Sequence, residues 1–175
     1  MKKTTLMAIL MAATSTAAFA ASDTQEFVTK ASSSNMFEIE SSKLALDRSN
    51  NAEVKQLASQ IIADHEKAGN GLTTAISQSN AMSKTDTKLQ PRTSLLENHA
   101  EMLNKLKTAD ADDFDAAYLD AQESAHEEAI SLFEDYSENG EVAAIKQFAK
   151  NTLPTLEKHE DHVERLDDKE TGDNL

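Results

Sequence analysis

The apolar residues of the chain recur at helical spacing over most of its length. In the clearest stretch they fall three or four positions apart, on one face of a helix; they are Val54, Leu57, Ala58, Ile61, Ala68, Leu72 and Ile76. The 175 residues include only four valines, four glycines and two prolines, too few for the strands and turns of a β protein. The sequence therefore predicts an all-α fold in one domain.

Capping residues and helix breakers divide the chain into four long helices and one short helix. The first helix is predicted from Asp23 to about Arg48 and the second from Asn50 to about Ser79. The short helix starts near Pro91. The next long helix starts in the acidic run 110–115 and ends at Asn139-Gly140, and the last runs from Glu141 to about Leu166 with Pro154 inside it. Two hairpins joined by a long crossover predict a ferritin-like four-helix bundle with a short extra helix in the crossover. A plain five-helix bundle is the alternative. The single helical domain would cover residues 21–170, with a frayed acidic tail over 167–175.

The N-terminus has the pattern of a signal peptide over residues 1–20. Two lysines precede an apolar run, and the small residues of Ala18-Phe19-Ala20 form a cleavage site. Hydroxylic residues at 14–16 interrupt the run too early for a membrane anchor. We expect cleavage after Ala20 and export, with the periplasm as the destination.

The charge balance excludes some classes of partner. The chain has 31 acidic and 17 basic residues, a net charge of −14, and loss of two lysines with residues 1–20 changes it to 15 − 31 = −16. Such a surface repels nucleic acid and anionic membranes. No second apolar run is long enough to span a bilayer, and no cysteine is present for a disulfide or a thiolate ligand. No feature of the sequence identifies a protein partner or an oligomeric state.

An acid and several of the five histidines face the predicted core. At about 100° per residue, Glu38, His65, His126 and His159 fall on the apolar faces of four different helices. A carboxylate is rarely buried without a partner. Imidazole with carboxylate suits a transition metal such as Zn, Cu, Ni or Fe, so these four residues are the predicted ligands of a metal site.

Heights along the bundle test this prediction. Counted from the end near Ser49, Glu38 lies about 17 Å down, His126 about 21 Å and His65 about 23 Å, but His159 only about 11 Å. The first three residues are expected to meet, with His159 a turn or two away. His99 lies on the crossover helix, where its height is undetermined. Glu123 is favoured as a surface acid, and His162 as solvent-facing.

Several short motifs, taken together, resemble the exported bacterial family known as domain of unknown function 4142. They are Phe27-Val28-Thr29-Lys30-Ala31, Met36-x-Glu38-Ile39-Glu40-x-x-Lys43-Leu44-Ala45, Glu53-Val54-Lys55, Ala63-Asp64-His65-x-Lys67-Ala68, Phe114-Asp115-x-x-Tyr118, His126-x-x-Ala129-x-x-Leu132-Phe133 and Thr152-Leu153-Pro154-Thr155-Leu156-x-x-His159. The resemblance covers about residues 25–166. It implies a ferritin-like bundle, often labelled an outer-membrane or periplasmic protein, without an established activity. Glu38, His65, His126 and His159 fall on motif positions of the family, and so does His99. The family's usual acid before the fourth-helix histidine is Ala125 here.

The same residues argue against a di-iron centre. Di-iron bundles place Glu-x-x-His on two helices, but Ile62 and Leu156 stand three residues before His65 and His159. The chain also lacks a nucleophile elbow, a phosphate loop and a dinucleotide fingerprint, so an enzyme is the least favoured interpretation, and no catalytic residue is assigned. Two alternatives to metal binding stay open: a metal-free envelope stress or interaction protein with structural core histidines, and a pH sensor.

Overall fold

The computed structural model describes residues 15–84 and 86–172, and this part of the chain contains five α-helices and no strand. The predicted all-α fold is confirmed. Most of the predicted signal peptide lies outside the described residues. No described helix is both long and apolar enough to span a bilayer. The helices are α1 Ser15–Arg48, α2 Ala52–Met82, α3 Glu97–Thr108, α4 Phe114–Asn139 and α5 Ala143–Thr171.

The four long helices form a bundle in which α1 packs on α2 and α4, and α5 packs on α2 and α4. Short connections make α1–α2 and α4–α5 antiparallel hairpins. Thr24 bonds Tyr136 at 2.7 Å and Ser42 bonds Tyr118 at 2.9 Å, so α1 and α4 also run antiparallel. The crossover that contains α3 therefore returns the chain along the bundle, as in the predicted ferritin-like arrangement.

Two helix starts differ from the sequence prediction. α1 begins at Ser15 rather than Asp23, because the alanines that precede Asp23 favour helix. α3 begins at Glu97 rather than near Pro91. The Arg92 side chain donates to the carbonyls of Ser94 at 2.7 Å and Leu95 at 3.3 Å, and these two bonds hold the segment before α3 in a non-helical turn.

The last helix also differs from its prediction. α5 begins at Ala143 and continues to Thr171, where Gly172 ends it with a φ of 73°, a left-handed conformation that favours glycine. The predicted end near Leu166 is therefore wrong by five residues. Residues 167–171 of the predicted frayed tail are helical, and 173–175 lie outside the described part.

Arg48 connects the C-terminal ends of α1 and α3 to the start of α4. Its guanidinium donates to the carbonyls of Leu106 and Ala109, at 2.6 Å for Ala109. It also lies 4.4 Å from the centre of the Phe114 ring. The last carbonyls of a helix lack partners within the helix, so this side chain stabilises the end of α3.

Arg48→Ala is expected to lower the free energy of unfolding by about 2–3 kcal/mol, because hydrogen bonds to a charged donor are lost together with a cation–π contact. Urea titration measures the change. Arg165→Ala, at an exposed position of α5, is the control and should change the free energy by less than about 0.5 kcal/mol. Equal effects of the two substitutions would contradict this role for Arg48.

Within the described ranges, the core consists of two apolar clusters along the bundle axis. One, around Phe37, Leu57 and Tyr118, lies toward the α1–α2 turn. The other, around Phe27 and Phe133, lies toward the opposite end. The three inward-facing histidines of α2, α4 and α5 lie between the two clusters in the sequence of their helices, and Glu38 of α1 directly follows Phe37 of the first cluster. The polar layer is therefore enclosed on both sides by apolar side chains.

Candidate metal centre

Three histidines from three helices meet in the buried layer between the two clusters. They are His65 of α2, His126 of α4 and His159 of α5, with exposed fractions of 4%, 0% and 0%. Their ring centroids lie 5.9 Å apart for His65 and His126, 5.6 Å for His65 and His159, and 5.5 Å for His126 and His159. One nitrogen of each ring lies within 4.8 Å of the others.

Two of the rings have a hydrogen-bond partner on the side away from this meeting point. Nδ1 of His126 lies 2.9 Å from the backbone carbonyl of Gln122, and Nε2 of His159 lies 3.1 Å from Oδ2 of Asp64. A carbonyl and a carboxylate accept, so these ring nitrogens carry the protons. The opposite nitrogens, Nε2 of His126 and Nδ1 of His159, therefore present lone pairs.

One buried nitrogen of each histidine lacks a hydrogen-bond partner among the described residues. These atoms are Nε2 of His65, Nε2 of His126 and Nδ1 of His159. Buried polar atoms are nearly always paired in proteins, so three unpaired nitrogens in one layer require an explanation. A bound cation would satisfy all three at once.

The spacing of the rings fits a metal ion. Imidazole nitrogens bind zinc at about 2.0–2.1 Å, which places the centroids of three such rings about 5.1–5.5 Å apart. The observed separation of 5.5 Å lies at the upper end of this range, and those of 5.6 and 5.9 Å exceed it by only a few tenths of an ångström. Small inward movements of the rings would bring the nitrogens to bonding distance.

Burial also sets the charge state of these rings. It lowers the pKa of His126 to about 4, and it lowers the pKa of His65 well below the usual histidine range, with a smaller contribution from the neighbouring rings. Burial lowers the pKa of His159 as well, although Asp64 opposes the shift. The three imidazoles are therefore neutral near pH 7, the form that binds metals.

Glu38 of α1 lies beside this group rather than within it. Its Oε1 is 3.8 Å from Nδ1 of His126, the nitrogen that faces Gln122. The carboxyl is 1% exposed, and neither oxygen has a hydrogen-bond partner in the described part of the chain. Burial raises its pKa well above the usual carboxyl range, and the Gln122 side chain opposes this in part. Of the four predicted ligands, three histidines are thus brought together, with the acid next to one of them.

The expected height of His159 is wrong, and the register of α5 explains the error. Nζ of Lys169 lies 3.0 Å from Oε1 of Glu53, so residue 169 is level with the start of α2. Ten residues separate His159 from this level and twelve separate His65, about 15 Å and about 18 Å of helix rise. The sequence prediction measured from an end near Leu166 and therefore placed His159 too close to the end of the bundle.

Asp64 is the residue that the sequence analysis missed. It precedes His65 in α2, and its side chain is 35% exposed while it bonds the fully buried His159. A carboxylate that accepts from the outer nitrogen of a histidine is a common partner of metal-binding imidazoles. The sequence does place Asp64 at the edge of the apolar face of α2. This position indicates a partner of His159 only when it is known that α5 packs against that edge.

His99 belongs to a separate cluster. Its Nδ1 lies 2.7 Å from Oγ of Ser33, which also accepts the backbone N–H of Leu96 at 2.7 Å. Its ring stacks on Phe37 at 5.4 Å, and its Nε2 is 4.0 Å from Oε2 of Glu128. A serine, a histidine and an acid stand next to one another here in the same order as in a hydrolase triad. Ser33, however, is fully buried and its hydroxyl already accepts a backbone hydrogen bond, so it is not exposed as a nucleophile. This cluster therefore holds the start of α3 against α1.

Two other polar residues lie away from the three histidines. Glu123 is half-buried on α4, where partial burial and neighbouring acids, Glu127 first, raise its pKa. His162 is half-buried on α5, next to Arg165 and Lys169. Neither belongs to the group of three mutually close ligand atoms found among the described residues.

Comparison with known proteins identifies a family. The sequence model described as domain of unknown function DUF4142 matches residues 10–166. No curated protein and no solved structure matches the chain. Because the match covers most of the chain and includes the three clustered histidines, the protein belongs to the DUF4142 family.

Proposed function

We propose that this protein binds one divalent first-row transition-metal ion between α2, α4 and α5. Nε2 of His65, Nε2 of His126 and Nδ1 of His159 would be the ligands. The observation that carries the proposal is that one nitrogen of each ring lies within 4.8 Å of the others, and that each ring has one buried nitrogen without a hydrogen-bond partner among the described residues. Three neutral imidazoles without a thiolate suit zinc, copper, nickel or iron.

Charge compensation supports the same proposal. A divalent cation held only by neutral imidazoles would place two positive charges in an apolar layer, which is costly without counter-ions. Asp64 bonds the outer nitrogen of His159, and Glu38 lies next to the outer nitrogen of His126. These two carboxylates can balance the charge without being ligands. The departure from Glu-x-x-His motifs at Ile62 and Leu156 favours one ion over a di-iron centre.

Equilibrium dialysis of untagged protein against Zn²⁺, Cu²⁺, Ni²⁺ and Fe²⁺ tests the proposal. We expect one ion per chain, and none when His65→Ala and His126→Ala are combined. His162→Ala is the matched control, because this histidine is outside the cluster. If the native protein binds none of these ions, or if the double variant binds as well as the native protein, the proposal fails, and the histidines have the structural role of an envelope stress or interaction protein.

Asp64→Ala is expected to weaken zinc binding by about 10- to 100-fold, because the proton on Nε2 of His159 loses its acceptor and the ring loses its fixed orientation. Competition with a zinc-sensitive dye measures the affinity. Glu66→Ala removes a neighbouring acid that faces solvent and should leave the affinity unchanged. Equal losses in the two variants would show a general charge effect and contradict a role for the Asp64–His159 bond.

We further propose that the protein is exported and acts in the periplasm after cleavage at Ala20. The support is the N-terminal sequence, in which two lysines, an apolar run and a small-x-small site occur in the order of a signal peptide. N-terminal sequencing of protein recovered from the periplasmic fraction of a Gram-negative host should begin at Ala21. Recovery of the full chain from the cytoplasm would contradict this proposal without affecting the metal site.

A further inference from the structure

A groove of about 440 Å³ runs along the surface between α2 and α5. Small residues of both helices, among them Gly71 and Ala144, leave this space, and the rest of the lining is mostly neutral and polar. Asp64 is the one acid among the described residues that line it. The groove therefore brings solvent to the carboxylate that bonds His159.

A second, much smaller gap lies inside the bundle, below this groove. Its volume is about 20 Å³, room for about one water molecule. His65 lines the gap, as do Ala129 and Leu156, which lie one turn from His126 and His159 on their helices. The gap thus reaches His65 and lies one helical turn from His126 and His159.

The groove and the gap share part of their lining. Ala68, Phe148 and Thr152 contact both spaces, so these side chains form the wall between them. Phe148 is the largest of the three and is only half-buried. A Cβ atom added to Gly71 would lie 3.4 Å from the Phe148 ring. Because glycine has no side chain, there is space beside the ring at this position.

We propose that the metal ion reaches the three histidines from the α2–α5 groove, past the side chain of Phe148, and through the inner gap. This inference rests on the proposed function. Displacement of one aromatic ring would join the two spaces, whereas the apolar clusters close the bundle above and below the polar layer.

The described lining of the groove has one acid, Asp64, and one base, the exposed Lys67, and the acceptor groups along the route suit a cation that exchanges its water ligands in steps. Asp64 offers a carboxylate in the groove. Inside the gap, Oδ1 of Asn35 is buried and has no hydrogen-bond partner among the described residues, so it is an oxygen donor available to an ion or its hydration water. His65 then offers the first nitrogen. Oxygen and imidazole donors both suit a borderline transition-metal ion.

Stopped-flow measurement of zinc uptake by the metal-free protein, and of zinc removal from the loaded protein by excess EDTA, tests the route. Phe148→Ala should increase the rates of zinc loss and uptake at least about tenfold, equivalent to lowering the barrier by about 1.4 kcal/mol. Gly71→Ala should slow both rates, because the added methyl group restricts the ring. The equilibrium affinity should stay unchanged in both variants, since neither residue contacts the ion.

Leu132→Ala is the matched control, because Leu132 packs on the same apolar cluster but lines neither space. Gly71→Ala keeps the test valid if Phe148→Ala destabilises the bundle, since alanine favours helix. If both variants exchange zinc at the native rate while one ion still binds per chain, the route is wrong and the metal site stands. If the native protein binds no zinc, the proposed function itself has failed.

Discussion

Saturating zinc is expected to raise the midpoint of thermal unfolding by about 8–16 °C. A ligand present at a thousand times its dissociation constant stabilises the folded state by about 4 kcal/mol, and each kcal/mol raises the midpoint by about 2–4 °C in a chain of this size. The effect should be large because the three ligands come from α2, α4 and α5 and do not form a cluster in the unfolded chain. Differential scanning calorimetry with and without zinc measures the shift.

Variants of the histidines make this expectation specific. His126→Gln should abolish most of the shift while keeping a polar side chain in the layer, and His162→Ala should retain the full shift. A second variant, His99→Gln, distinguishes the three clustered histidines from the other buried histidine, which bonds Ser33. In this variant the unfolding midpoint without zinc should fall, but the increase upon zinc addition should remain. If zinc raises the midpoints of native protein and His126→Gln equally, ligation by this histidine is wrong.

The metal-free protein is expected to lose stability as the pH falls from 7 to 5. The pKa values of His65, His126 and His159 are lowered in the folded state, so the unfolded chain binds protons first below about pH 6.5. Their contribution to stability is complete above that pH and is lost as the pH falls toward the folded pKa values. With a folded pKa of about 4, His126 alone should cost about 2 kcal/mol between pH 7 and pH 5.

Glu38 changes the pH dependence of folding stability in the direction opposite to that of the histidines. Its pKa is raised in the folded state, so its contribution is complete below about pH 4.5 and is lost as the pH rises through the folded pKa. His99 and His162, whose pKa values are also lowered, act in the same direction as the three histidines, so a net loss of stability is expected. Glu38→Gln should therefore be more stable than the native protein at pH 7 and lose more stability on acidification.

Urea titrations in EDTA at pH 7 and pH 5 measure these effects. The loss in His126→Gln should be smaller than the native loss by about 2 kcal/mol, and the loss in Glu38→Gln should be larger. Parallel changes in all three proteins would contradict the lowered pKa of the buried histidines and the raised pKa of Glu38. A large loss of compactness at pH 5 would favour the pH-sensor alternative.

The sequence predicted the helices well because helical periodicity and capping are local properties. The stop at Asn139-Gly140 and the second-helix start within two residues of Asn50 match the structure. The errors are the start of α1 at Ser15, the start of α3 at Glu97 and the end of α5 at Thr171. The three segments are alanine-rich, proline-containing and acidic, respectively, and each local sequence is compatible with a helical or a non-helical backbone. Tertiary contacts such as the Lys169–Glu53 ion pair then select one of them.

The sequence predicted which residues of the candidate site are buried better than it predicted their positions relative to one another. His65 and His126 are buried as their positions on the apolar faces indicate. His159 was placed at the wrong height, because axial register between helices depends on contacts distant in sequence. Asp64 was missed for the same reason, since its role depends on which helix lies next to α2. Glu38 is buried as predicted, but its distance from the free nitrogens depends on the rotation of α1, which sequence periodicity fixes only roughly.

X-ray absorption spectroscopy of the zinc-loaded, untagged protein tests the central claim most directly, because it identifies and counts the atoms bound to the ion. We predict three nitrogen ligands at about 2.0–2.1 Å, with the outer-shell scattering of three imidazole rings, and two such rings in His126→Gln. A first shell composed mainly of carboxylate oxygens, or the same spectrum for His126→Gln and native protein, would contradict a metal centre built from His65, His126 and His159.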